Sequence, residues 1–129
     1  MIKLVALFKI KEGMTREAFI DYYENNHVPL VKKLMPQLRY YRRSFVRPET
    51  MFYAGHMEGA APPPPPFDVM TECWFESQKH YDAMIAVTAD PDKGPVIAAD
   101  EANFLDRSSM TMFLVDERIT DMPVTSDNS

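Results

Sequence analysis

The segment IKLVALFKIK, Ile2 to Lys11, is apolar on both of its alternating faces: Ile2, Leu4, Ala6 and Phe8 on one, Val5 and Leu7 on the other. Side chains along a strand point alternately to opposite sides, so such a strand needs cover on both. The closing segment SSMTMFLVDE repeats the demand, with Met110, Met112 and Leu114 set against Thr111, Phe113 and Val115. A sheet built around these two strands cannot leave either face wet.

The intervening elements follow from periodicity and punctuation. Thr15 is a good N-cap after Gly13, Glu17 lies in the first turn, and Ala18, Phe19, Tyr22 and Tyr23 recur at helical spacing. Pro29 disfavours helical geometry at Val28 but suits the first turn of a new helix, which predicts a break followed by a short helix over VPLVKKLM. LRYYRRSFV alternates as a strand, with Leu38, Tyr40, Arg42, Ser44 and Val46 on one face and Tyr41, Arg43 and Phe45 on the other. Residues 48–68, with five consecutive prolines at Pro62 to Pro66, cannot pair in a sheet and predict an exposed loop. DVMTECWF then reads as a strand, SQKHYDAMIAVTA as an amphipathic helix and PVIAADEANFL as a further short one. The domain is expected over residues 1–117, with a polar tail over 118–129.

Strand, helix, strand, strand, helix, strand is the α+β, ferredoxin-like βαββαβ order, in which helices cover one face of an antiparallel sheet. The economical cover for the other face is the same sheet from a second subunit, giving a homodimeric α+β barrel.

Composition excludes several partners. With 14 basic and 19 acidic residues the net charge is -5, which repels phosphate backbones and anionic lipid, so neither nucleic acid nor membrane is expected. The lone Cys73 offers no intrachain disulfide, and no Cys/His cluster has zinc spacing. The early apolar run is too short for a signal peptide or a membrane span, which predicts a cytoplasmic protein.

MTREAFIDYYENNHVPLV, TECWF and IAADEANFLDRSSMTMFLVDE resemble the EthD family of dimeric α+β barrels, over nearly the whole chain to Glu117. The proline-rich loop is not part of the shared pattern. The resemblance implies a pocket between sheet and helices, and activities as varied as methylmuconolactone isomerisation, dehydration in polyketide pathways and a loose association with ethyl tert-butyl ether degradation.

His27 is the leading candidate for chemistry. At a helix break beside a new helix N-terminus, the helix dipole favours neutral imidazole, a base at neutral pH; the plainer reading is a histidine that caps the kink. In the EthD family a histidine at this point belongs to the pocket. Tyr23 lies four residues earlier on the same face, with Tyr22 and Asn26 in the adjacent stripe, although Phe19, Tyr22 and Tyr23 also read as an ordinary core stripe. The resemblance implies a pocket tyrosine from the second strand; of Tyr40 and Tyr41, which face opposite ways, Tyr40 is expected there. Glu72, alternating with Met70 and Trp74 on a central strand, reads as a buried ion pair with Arg43 or Arg107, or as an acid facing the same pocket. Phe104 and Trp74 complete the expected binding set. Asp100, Glu101 and Asp106 read as solvated or structural rather than metal-binding.

The expectation is a cofactor-independent enzyme that transfers a proton on a small aromatic, lactone or polyketide-like metabolite, with His27, Tyr23 and Tyr40 as its catalytic groups. The alternatives are a non-catalytic binding or accessory protein of an oxygenase pathway, and a monooxygenase of the same barrel superfamily, to which Trp74 and His80 would point.

Overall fold

A computed structural model describes residues 1–57, 59 and 62–124. Four strands, β1 (Ile2–Ile10), β2 (Tyr40–Phe45), β3 (Val69–Phe75) and β4 (Leu105–Val115), form one antiparallel sheet in the order β2-β3-β1-β4. Four helices, α1 (Arg16–Tyr22), α2 (Val28–Leu34), α3 (Gln78–Ala89) and α4 (Lys93–Glu101), accompany it. This is the expected ferredoxin-like α+β protomer. Of the tail expected over 118–129, residues 125–129 lie outside the described residues, as do Glu58, Ala60 and Ala61 of the loop.

The predicted break before Pro29 is not a break. α1 starts where expected, the Thr15 hydroxyl accepting from the Ala18 amide. It then widens into a π-helical turn over Tyr23–His27 and runs straight into α2. Val28 keeps right-handed helical geometry, and its amide bonds back to the Tyr23 carbonyl, five residues earlier. Proline inside an α-helix removes one hydrogen bond and drives its ring against the carbonyl four residues back. The wider π register relieves both problems, so the chain absorbs Pro29 without ending the helix. His27 therefore has no open helix N-terminus beside it.

The sheet face toward the helices carries Leu4, Ala6 and Phe8 of β1, Val69, Thr71, Cys73 and Phe75 of β3, and Tyr41 and Phe45 of β2. Phe19, Tyr23 and Phe104 pack onto it as an aromatic cluster, with Phe19 and Phe104 centroids 5.7 Å apart and Tyr23 and Phe104 5.2 Å apart. A second cluster, Leu4, Phe75 and Met84, fills the other end beneath α3. Truncating Phe104, fully buried within the first cluster, would cost about 3–5 kcal/mol.

The opposite face holds a charge pair in an apolar setting. Lys3 reaches both Glu72 and Glu117, and Trp74 lies between the Lys3 ammonium, 4.6 Å from its ring centroid, and the Arg42 guanidinium, 5.0 Å away. Around them lie Tyr40, 51% exposed, and Phe113, 41% exposed, the latter opposite Val5 across the β1–β4 ladder. Among the described residues between β2 and β3, the chain makes one short helical turn, Pro48–Thr50. Its far end is pinned to β1, because the Asp68 carboxylate accepts from the Ile10 amide at 2.8 Å and the Asp68 amide donates to the Phe8 carbonyl.

Candidate functional site

Between the two core clusters, where α2, α3 and α4 arch over the sheet, lies a cavity of about 320 Å³. Apolar groups dominate its wall, among them Met35, Met84, Met110 and Met112. Its polar groups are few: His27, Tyr23, Tyr41, Thr71, Thr88, Glu101 and Arg107, beside the Cys73 thiol. A mostly apolar cavity with a handful of placed polar groups is the usual form of a small-molecule site.

His27 is held from behind. Its Nδ1 lies 2.7 Å from Asp100 Oδ2, and Asp100 Oδ1 accepts from the Tyr22 hydroxyl, also at 2.7 Å. Asn103 Nδ2 donates in turn to Tyr22 at 2.8 Å. With the carboxylate at Nδ1, the proton sits there and Nε2 carries the lone pair. Burial pulls the imidazole below its ordinary value of 6.5, with the Asp100 hydrogen bond acting against it. At neutral pH the ring is therefore an uncharged base. The expected cause, a helix dipole, is replaced by desolvation.

A second chain of hydroxyls runs along the sheet side. Tyr41 donates to Tyr23 at 3.3 Å, and Tyr23 is bonded to Thr71 at 2.5 Å. Burial pushes Tyr23 up to about 12 and Tyr41 well above 10. Both phenols stay protonated and serve as hydrogen-bond groups. The same desolvation pushes the Cys73 thiol up to about 12, which leaves it a poor nucleophile.

Several positions differ from expectation. Tyr40 points away from the helices and Tyr41 toward them, because Tyr41 pairs with Cys73 and shares its inward face. Glu72 and Trp74 lie on the face opposite His27, and the partner of Glu72 is Lys3 rather than Arg43 or Arg107. Arg43 instead chelates Glu24, and Arg107 approaches Glu101. Asn26 is exposed and Tyr22 stands behind Asp100, so neither lines the cavity. Phe104 packs on His27, with ring centroids 5.0 Å apart, and fixes the imidazole plane from outside the cavity. Ser77 caps the start of α3 by accepting from the His80 amide, and the His80 ring nitrogen Nδ1 lies 2.8 Å from the same hydroxyl, away from Trp74's face. Among the described residues no group of three His, Cys, Asp or Glu side chains comes together as a metal would need, and no helix is long and apolar enough to cross a membrane.

The EthD domain model matches residues 11–108, which spans α1 to the start of β4 and includes His27, Tyr41 and Asp100. The chain belongs to the EthD family. Its fold is similar to that of an EthD family protein from Bacillus halodurans, at 23% identity over 92% of this chain and 99% of that one, with a TM-score of 0.58. An EthD-like protein from Ralstonia eutropha is similar at 24% identity, 98% and 96% coverage and a TM-score of 0.54. An Arabidopsis thaliana protein is similar at 17% identity, 96% and 100% coverage and a TM-score of 0.52. No curated protein matches this EthD chain.

Proposed function

We propose that this EthD protein is an enzyme that moves a proton on a small apolar ring compound, isomerising or dehydrating an aromatic, lactone or polyketide-like metabolite. The observation that carries the proposal is the His27–Asp100 pair at 2.7 Å, set in the wall of an apolar cavity with Nε2 as the available nitrogen. In the reaction, Nε2 takes a proton from carbon next to a carbonyl, and the Asp100 carboxylate stabilises the imidazolium that forms. Electron density moves onto the carbonyl oxygen, to which the Thr71 hydroxyl donates, its own proton being the one left over in the Tyr41–Tyr23–Thr71 chain. Returning the proton to a different carbon gives isomerisation. Expelling a β-hydroxyl that takes the proton gives a double bond and water. His27, Asp100 and the hydroxyls perform these steps without a cofactor.

The proposal includes a homodimer joined through the Trp74 face and a cytoplasmic setting, supported by the apolar groups on that face and the single cysteine. One observation favours a second reading, a non-catalytic carrier of the same ligand: Tyr23 is 1% exposed and its hydroxyl is committed to Thr71, so it is not free to act. Turnover separates the two. Small molecules that co-purify with the protein are identified by native mass spectrometry and incubated with fresh protein and with a His27→Ala variant. Conversion that falls about 10²–10⁴-fold in the variant supports the enzyme, and a ligand returned unchanged by the native protein supports the carrier.

A further inference from the structure

Beside the cavity, the edge strand β4 carries a bulge that turns an arginine into its mouth. Between the paired positions Leu7–Thr111 and Lys9–Asp106, β1 advances two residues while β4 advances five. The excess is held in a compact turn: the Ser108 amide bonds to the Asp106 carboxylate at 3.1 Å, and the Ser109 hydroxyl accepts from the Lys9 amide at 2.8 Å. Bulges at sheet edges re-aim side chains, and here the side chain re-aimed is Arg107, which joins Met110 and Met112 in lining the cavity.

Three other arginines are committed. Arg43 holds Glu24 through Nε at 2.9 Å and Nη2 at 2.6 Å, Arg39 Nε meets Glu76 at 2.8 Å, and Arg42 covers Trp74. Arg107 is not: its Nε stands 3.6 Å from Glu101 Oε1, beyond hydrogen-bond distance, and it donates to no other described residue. Its side chain is 54% exposed, while that of Glu101 is only 17% exposed. Apart from His27, it is the only cation among the described cavity-lining residues.

We propose that Arg107 makes the cavity mouth an anion subsite, so that the ligand is an apolar ring compound bearing a carboxylate, its ring among the methionines and its charged end at the guanidinium. This rests on the cavity being the ligand site. A planar guanidinium with several unused donors matches a carboxylate in bidentate fashion. The neighbouring Glu101 does not oppose this. Its nearest oxygen stands 3.6 Å from the guanidinium Nε, which leaves the Nη donors open to a ligand, and burial raises its carboxyl above the ordinary range. The ring is thereby oriented end-on, with its uncharged part toward His27.

The test uses naphthoate and its neutral counterpart naphthylmethanol, titrated into protein whose methionine methyls carry carbon-13. With the native protein, naphthoate is expected to bind about tenfold more tightly than the alcohol and to move the Met35, Met84, Met110 and Met112 methyl signals. Arg107→Gln should bring the ratio close to one, and Arg107→Lys should retain part of it. A native ratio near one, or a ratio that survives Arg107→Gln, overturns the anion subsite and leaves the cavity as a ligand site. If neither probe shifts those methyl signals, the subsite and the reading beneath it both fall.

Discussion

Asp100 Oδ2 lies 2.7 Å from His27 Nδ1 across the gap between α4 and the π-helical turn, and its other oxygen is occupied by Tyr22. The carboxylate is thus clamped on one side and clamps the imidazole on the other. This fixes both the tautomer and the plane of the ring, leaving Nε2 for the cavity.

Asp100→Asn keeps the shape and removes the charge. The amide is expected to bond Tyr22 still, but it no longer stabilises an imidazolium and can reverse the His27 tautomer. On a substrate identified as above, kcat/KM should fall by about 10²-fold, with the acidic limb of the pH profile moved lower, because Asp100 is what raises the His27 pKa against burial. An unchanged profile would show that Asp100 serves only the fold.

The same burial makes stability depend on pH in a defined sense. Folding holds His27 neutral below its ordinary 6.5, so between that value and the lower folded one the unfolded chain binds more protons. The stabilising contribution is complete above about pH 6.5 and declines as pH falls toward the folded value. Glu101 acts with the opposite sign. Its pKa is raised on folding, so its contribution is present at low pH and lost as pH rises through the folded value. Urea titrations in a Glu101→Gln background should therefore show stability decreasing below pH 6.5, and a further His27→Asn change should flatten that decrease.

Tyr41→Phe and Tyr40→Phe separate the two faces of β2. Tyr41 belongs to the cavity wall and to the Tyr23–Thr71 hydroxyl chain, whereas Tyr40 stacks beside Trp74, with ring centroids 6.3 Å apart, on the other side. Substrate turnover is expected to drop about tenfold in Tyr41→Phe, the loss of one neutral hydrogen bond, and to stay within twofold in Tyr40→Phe. The reverse order would mean that the working pocket lies on the Trp74 face.

Much of this was legible in the sequence, and the misses have physical causes. Alternation in β1 and β4 and the Thr15 cap gave the element order, and the two-sided apolar strands gave the uncovered second face. Alternation sorts Tyr40 and Tyr41 onto two faces without saying which is inward; that depends on the pairing of Tyr41 with Cys73. Lys3 was missed as the partner of Glu72 because the two meet only across strands. Asp100 reads in the sequence as solvated or structural, because DEANFLD is also the pattern of a helix end entering a loop. A clue was available: an imidazole turned into a packed aromatic core needs an acceptor for its ring N–H, and an acidic pair sits just before Phe104. The π turn had no local signature beyond Pro29 itself.

Gly94 tests how closely α4 must approach α3. A methyl there would stand 2.5 Å from the Thr88 carbonyl oxygen, which is backbone and cannot swing aside. Gly94→Ala must push the two helices apart at a point where Gly94 and Thr88 both line the cavity. A stability loss of about 1–3 kcal/mol is expected in denaturant unfolding, with weaker ligand binding. A variant as stable as the native protein would mean that the α3–α4 corner gives way freely.

The last prediction concerns the face that a single subunit leaves uncovered. Phe113 stands opposite Val5 on β4, and the same face carries Trp74 and Tyr40, with the charges of Lys3, Glu72, Glu117 and Arg42 set among them. Lys3 is raised above its usual value by its hydrogen bonds to Glu117 and Glu72, so that charge is neutralised locally and does not keep a partner away. The face is therefore apolar in effect, and a second copy of the same sheet would cover it. Phe113→Asp places an unpaired carboxylate on β4, opposite Val5, within that contact. In sedimentation equilibrium the native protein is expected to be a dimer and Phe113→Asp a monomer, with the folded far-UV signature kept because the helix-side core is untouched. A native protein that sediments as a monomer at micromolar concentration would mean that the apolar groups of this face tolerate water after all, and the barrel would have to be given up.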